Sequence, residues 1–206
     1  DADKTEELDP HLMPLEHLAV APSVHAASPH PVPESIGPYR IVGTLGQGGM
    51  GTVYRAEQTT PVERSVALKV IRHAVIDPAT RLRFSAERQA LARLVHPHIA
   101  QLYESGSTDN GSPYFAMELV EGLPITVHCD HHRLGIEERL ALFVRVCEGV
   151  AHAHRKGILH RDLKPSNVLI VGTGTDTSPK IIDFGIAKAM DRPLVEATLV
   201  TGGGLL

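Results

Sequence analysis

Two periods alternate along this chain. From Tyr39 the pattern is period two. Tyr39–Leu45 reads as a strand, Gly46-Gln-Gly-Gly-Met-Gly51 as a glycine-rich turn, and Thr52–Ala56 as a second strand. Ser65–Ile71 reads as a third strand, with Val66, Leu68 and Val70 on one face and Ala67, Lys69 and Ile71 on the other. Asp77-Pro78 then opens a helix, a capping residue followed by proline at the first helical position. That helix is expected to run to about Leu94, with Phe84, Leu91 and Leu94 inward and Glu87 on the same stripe. Ile99–Tyr103 and Pro113–Leu119 read as a strand pair flanking the polar turn Gly106–Gly111. After Val120-Glu-Gly122 the period becomes helical. Ile136–Lys156 carries Leu140, Phe143, Val144, Cys147, Val150, Ala151 and His154 at three-to-four spacing, so Cys147 reads as core. Glu137 and Glu138 suit the start of that helix, and Gly157 suits the residue just past its end.

The first 38 residues do not share either period. They hold seven acids against one lysine, a net of −6, whereas residues 39–206 hold 17 acids and 19 bases, a net of +2. They also hold seven of the 15 prolines and no aromatic residue. Such a segment buries too little apolar surface to offset chain entropy, so residues 1–38 are expected to be a disordered Pro-rich tail, extended around Pro29-His-Pro-Val-Pro33. Its four histidines are irregularly spaced, which favours a solvated tail over a metal site. The whole chain of 206 residues is 42% hydrophobic and 21% charged, the balance of a water-soluble domain. No run approaches the roughly 18 apolar residues that span a bilayer. The opening Asp1-Ala-Asp-Lys-Thr-Glu-Glu does not read as a signal peptide. A net charge of −4 argues against a general nucleic-acid binder, and Cys129 and Cys147 are too few for a disulfide framework, so a reducing, cytosolic setting is expected.

Four stretches carry candidate chemistry. Gly46-x-Gly48-x-x-Gly51 is a weak signal alone; a strand follows it, where a dinucleotide fold needs a helix. Lys69, flanked by apolar residues on a strand, is costly unless an anion meets it; it reads either as an edge-strand lysine or as the partner of Glu87 on the adjacent helix, still free to touch a phosphate. His128-Cys129-Asp130-His131-His132 puts two histidines four apart but lacks a second ligand pair, so it reads as a solvated polar turn rather than a metal site. The most specific stretch is Ile158-Leu-His-Arg-Asp-Leu-Lys-Pro-Ser-Asn-Val-Leu-Ile170, followed by Pro179-Lys-Ile-Ile-Asp-Phe-Gly185. His-Arg-Asp-x-x-x-x-Asn and Asp-Phe-Gly are phosphoryl-transfer signatures, and with the glycine loop and Val66-Ala-Leu-Lys69 they stand in that family's order.

On those motifs the chain resembles the protein kinase family, and on Gly-Gln-Gly-Gly-Met-Gly it looks like a bacterial eukaryotic-like (Hanks-type) Ser/Thr kinase. The resemblance covers Tyr39 to the end. It implies an α+β, bilobal fold: a small lobe over 39–119, antiparallel sheet plus one helix; a hinge near Glu118–Val120; and a helical large lobe from 120, incomplete by 206. ATP would lie between the lobes. The implied nucleotide contacts are Leu45, Gly46, Gly48, Gly51, Val53, Ala67, Met117 as gatekeeper, the backbone of Glu118 and Val120, and Leu169 beneath the adenine. Lys69, positioned by Glu87, would hold the α/β-phosphates; Asn167 and Asp183 would bind Mg²⁺; Asp162 would take the hydroxyl proton. His160, Phe184, Leu91 and Leu102 would pack as an apolar stack. Lys164, two residues past Asp162, points to Ser/Thr protein substrates, and dimerisation for autophosphorylation is compatible with that reading. Arg161 suggests control by phosphorylation, with Thr198 and Thr201 as candidate sites. The chain stops at Gly202-Gly-Gly-Leu-Leu206 with no Ala-Pro-Glu motif, so it is expected to be a fragment of a longer kinase, marginally folded and without useful activity alone. The alternative to an active parent is an inactive nucleotide-binding scaffold.

Overall fold

The computed structural model describes residues 32–49, 51–72, 91–174 and 176–184. Most of the tail, the helix expected from Asp77 as far as residue 90 (with Phe84 and Glu87), and Gly185, Thr198 and Thr201 lie outside the described residues.

Six strands form one antiparallel sheet: β1 (Ser35–Ile36), β2 (Tyr39–Gly48), β3 (Gly51–Gln58), β4 (Arg64–Ile71), β5 (Leu102–Ser107) and β6 (Pro113–Glu118), in the order β1-β2-β3-β4-β6-β5. The alternation in β4 sorts two cores. Val66 and Leu68 are buried on one face with Tyr39, Ala56, Tyr114 and Ala116, and Val70 packs against them. Ile71 belongs to the other face, buried with Leu91, Leu94, Phe115 and Phe184. Tyr39 is fully buried yet its hydroxyl donates to Glu104 Oε2 at 2.8 Å, which satisfies the polar end of a large apolar anchor.

The sequence boundary at residue 38 falls inside this sheet. Ser35–Ile36 pairs with Tyr39–Arg40 across a turn at Gly37, and Ile36 is buried in the Tyr39 core. One isoleucine between polar neighbours gives no periodicity, so the pairing was invisible in the pattern. The strand expected at Ile99–Tyr103 is also displaced. Ile99 bridges to Ile181 instead, the sheet strand begins at Leu102, and the turn moves to 108–112, held by Thr108 Oγ1 and Ser112.

A second, three-stranded sheet joins β7 (Leu123–Pro124), β8 (Val168–Val171) and β9 (Ser178–Ile181), and two helices pack beside it: α1 (Ile125–His131) and α2 (Ile136–Arg155). The His128–His132 stretch is therefore not a solvated turn. It closes α1, with His128 and Cys129 buried, because the short helix packs on β7 and β8 and Cys129 meets Leu142 and Ile170. Among the described residues no group of three or more His, Cys, Asp or Glu is placed to hold a metal ion. No helix there is long and apolar enough to cross a membrane.

Helix α2 starts and stops where its signals stand. Glu138 Oε2 accepts from Gly135 N at 2.8 Å, and Gly157 takes φ +74° just past the end. Its inward face differs from the expected one. Leu142, Val146, Gly149 and Ala153 are buried, whereas Leu140, Phe143 and Val144 are 56–58% exposed and Cys147 is exposed, not core. Apolar residues lie on both sides of this helix, so bulk alone does not choose the face. Gly149 chooses it: an added Cβ would stand 2.9 Å from Ile181 Cδ1 and 3.3 Å from His98 O, so here the strand crosses against bare backbone.

Gly51 is the matching constraint in the small sheet. It has φ +148°, and a Cβ there would lie 2.0 Å from Val70 O. Gly51→Ala is expected to cost roughly 1–3 kcal/mol of stability through backbone strain and the clash. Urea denaturation checks this, and an unshifted midpoint would show that the β3–β4 contact yields to a methyl group.

Candidate active site

The glycines of the β2–β3 turn divide into two kinds. Gly51 is demanded by the fold. At Gly46, Gly48 and Gly49 an added Cβ would meet nothing within 4 Å. Packing among the described residues does not explain them; backbone with no side chain in the way suits close approach of a phosphate chain.

The sheet face carrying Ile71 also carries the nucleotide candidates. Register sets Val53 opposite Lys69, Lys69 opposite Phe115, and Ala67 opposite Met117, so these side chains share one face. Leu45 is exposed at the edge of the turn, and Val120 is half-buried just past β6. Glu118 turns its carboxylate away from the turn: Oε1 pairs with Lys180 Nζ at 2.8 Å, and Oε2 accepts from Gln101 N at 3.1 Å. Its backbone N–H is engaged as well, donating to Gln101 O at 2.8 Å. Leu169 is half-buried on β8, across from Lys180 and Pro124.

Lys69 is only 7% exposed, and its ammonium pairs with the carboxylate of Asp183. The sequence offered Glu87 as the partner; that residue lies outside the described ones, and the Asp183 contact, 114 positions away, has no local signal. Asp183 follows β9 and has φ +59°. Phe184 beside it is buried with Leu91, and Leu102 packs against them. Its ring lies 4.6 Å from that of His160, so the expected apolar stack is assembled. A small cavity of about 30 Å³ opens beside it, lined by Leu94, Leu102, Met117, Asp183 and Phe184 among others.

The Asp162 loop is tied to the same centre. Lys164 Nζ donates to Asp162 Oδ2 at 3.0 Å. Asn167, buried on a 3₁₀ turn at Pro165–Asn167, donates its amide to Asp162 O at 2.9 Å, which leaves Oδ1 as an acceptor for a cation. Asp183 and Asn167 are oxygen donors of the type Mg²⁺ takes, few in number, as suits an ion that also binds phosphates and water. Arg161, next to Asp162, has φ +62°. Two non-glycine residues in the left-handed region, one beside each key aspartate or at it, mark a site held in place by its surroundings.

His160 joins the two halves. Its Nδ1 accepts from Asp162 N at 3.3 Å and its Nε2 donates to Ile182 O at 3.0 Å. The bond accepted by Nδ1 needs the neutral ring, with its proton on Nε2. Burial is the largest influence and holds its pKa below the ordinary 6.5. A folded value below the unfolded one means this contribution to stability is complete above 6.5 and is lost as pH falls through the folded value. Burial moves His96 and His128 the same way. The chain is expected to lose urea resistance as pH falls below 6.5, with the His160 imidazole titrating below 6.5 by NMR. A His160 that titrates at or above 6.5 would contradict the buried, neutral bridge.

Comparison with known proteins agrees with this arrangement. A protein-family model described as "Protein kinase domain" matches residues 39–202. The chain is 36% identical over 162 residues to the probable serine/threonine-protein kinase PknB of Lactococcus lactis, covering 78% of this chain and 25% of that protein. It is 35% identical over 190 residues to the serine/threonine-protein kinase Pkn1 of Myxococcus xanthus, covering 90% and 27%. It thus spans about a quarter of the length of these curated relatives. The crystal structure of the Mycobacterium tuberculosis PknI kinase domain superposes with a TM-score of 0.61 at 36% identity, over 74% of this chain and 61% of that one. With the family's motifs gathered at one centre on the family's fold, the chain belongs to the protein kinase family, of the bacterial serine/threonine type.

Proposed function

We propose that the protein bearing this chain transfers the γ-phosphate of ATP to serine or threonine hydroxyls of protein substrates. The observation that carries the reading is the convergence of Asp162, Lys164 and Asn167 with the Lys69–Asp183 pair, the two halves being joined through His160. Gly46 and Gly48 leave room for phosphates, while Val53, Ala67, Met117, Leu169 and the backbone of Glu118 and Val120 would enclose the adenine. Asp183 and Asn167 would hold Mg²⁺, which when bound offsets charge on the β/γ-phosphates. Lys69 would stabilise the α/β-phosphates, sharing its charge between them and Asp183. Asp162 accepts the hydroxyl proton as the oxygen bonds to phosphorus and the bond to the ADP oxygen breaks. Lys164, on Asp162 Oδ2, fixes that carboxylate and places a cation where the transferred phosphoryl gathers charge. Cys129 and Cys147 are both free thiols, which fits the reducing cytosolic setting this reading assumes.

Two measurements test the reading. In the protein that bears this chain, assayed with its kinase domain complete, Asp162→Asn should lower phosphate transfer to a generic basic protein by roughly 10²–10⁴-fold while nucleotide affinity stays within a few-fold. Transfer close to wild type would remove Asp162 from the proton-accepting role; binding without transfer in the wild type would favour the scaffold. Second, Lys69→Met and Glu87→Gln should each cut activity, and the double variant should lose far less than the product of the two. Simple multiplicativity would mean that Lys69 and Glu87 do not act as one unit.

A further inference from the structure

One polar junction is left unused by this mechanism. Strand β9 leads through Ile182 directly to Asp183, and it is fastened from outside the sheet by residues 98–100. Ile181 N donates to His98 O at 2.9 Å, and Ala100 N donates to Ile181 O at 2.9 Å. The His98 ring adds a second fastening: Nδ1 stands 3.2 Å from Pro179 O and 3.1 Å from Ser178 Oγ. A carbonyl oxygen only accepts, so Nδ1 must carry the ring proton. The ring itself is held. The His98 backbone N–H donates to His96 Nδ1 at 3.2 Å, the His96 and His98 rings lie 5.3 Å apart, and Nε2 faces Glu148 of α2 at 3.7 Å. At Gly149 the helix backbone closes over His98 and Ile181 without room for a methyl group. Loop, helix and strand therefore meet at His98, whose side chain is 12% exposed.

We propose that His98 is a positioning residue for Asp183: its carbonyl and its Nδ1–H grip β9 at Ile181 and Pro179 and so set where that strand delivers the carboxylate. Only Ile182 separates the gripped Ile181 from Asp183. No flexible segment absorbs a shift, and Ile182 O is itself held by His160. Freed at Pro179 and Ser178, the strand end would carry Asp183 off Lys69 and off the position shared with Asn167. The inference rests on the reading of Asp183 as a Mg²⁺ ligand, but its first readouts do not.

The test begins with the wild-type chain. Its ¹⁵N imidazole spectrum at pH 8 should show His98 as the Nδ1–H tautomer; the Nε2–H tautomer would overturn the proposal. His98→Leu removes the donor, and His98→Asn restores a side-chain N–H at similar reach. In the leucine variant amide exchange at Ala100 and Ile181 should quicken about tenfold, the loss of one buried hydrogen bond, while Val66 and Leu68 in the small sheet stay protected. The Mg²⁺ needed for half-maximal ATP binding should rise several-fold, and the asparagine variant should return both measures to within about twofold. Unchanged exchange at Ile181, or failure of asparagine to rescue, would overturn it. If the leucine variant unfolds throughout, seen as lost protection at Val66 and Leu68, the wild-type tautomer and the protection of Ile181 in the asparagine variant decide. Asp183→Asn separates the two ideas: if it leaves the Mg²⁺ dependence intact, the metal reading of Asp183 falls, while the exchange data still decide what His98 holds.

Discussion

An ammonium group buried on a strand has to meet an anion, and in this chain the anion comes from a different sheet. Lys69 sits on the central strand of the small sheet, fully flanked by apolar neighbours; Asp183 hangs from the end of β9. Burying the Lys69 ammonium with no anion beside it would be costly, and Asp183 supplies one. The pair therefore works as a registration device between the two sheets. It holds Phe184 in the core beside Leu91 and keeps Asp183 in a left-handed conformation that a free chain would leave.

How much of this was legible in the sequence depends on the range of the interaction. The small sheet came from alternation within each strand: the two faces of Ser65–Ile71 sort as read, because a strand's period is local. The ends of α2 were legible too, since Glu138 and Gly157 act within a turn of the helix. Its buried face was not. The apolar count favoured Leu140, Phe143 and Val144, and the true face is set by an absence of side chain at Gly149 and by a strand 32 positions further on. Ile99 fails for a related reason. A lone isoleucine pairs with whichever backbone is near, and here that is Ile181. Two partnerships at the motif residues had no local signal: Lys69 with Asp183, and Glu118 with Lys180, are contacts between distant segments with no sequence spacing to reveal them.

Glycines show the same distinction from the other side. Gly51 and Gly149 are explained by atoms of the chain that a Cβ would strike. At Gly46, Gly48 and Gly49 no atom of the described residues stands where a Cβ would be. A glycine in a strand or hairpin weakens it through lost conformational entropy, so three in open space within four positions are a cost with no folding return. Gly51, fixed by its approach to Val70 O, thus differs in kind from the glycines before it, although the motif spells them alike.

The neutral ring of His160 explains why the strained residues can persist. Arg161 at φ +62° and Asp183 at φ +59° each sit in a conformation unfavourable by roughly 1–3 kcal/mol. His160 is adjacent to the first and bonded to the residue before the second, through Asp162 N on one ring nitrogen and Ile182 O on the other. One rigid, planar group thus fixes the separation between the backbone that bears Asp162 and the backbone that bears Asp183. A longer, flexible side chain could satisfy the same donor and acceptor without fixing that separation. A charged ring would keep the bond to Ile182 O but lose the one from Asp162 N, because Nδ1 would have no lone pair. Burial against Phe184 keeps the ring neutral, so apolar packing, tautomer and the spacing of two carboxylates are set by the same contact.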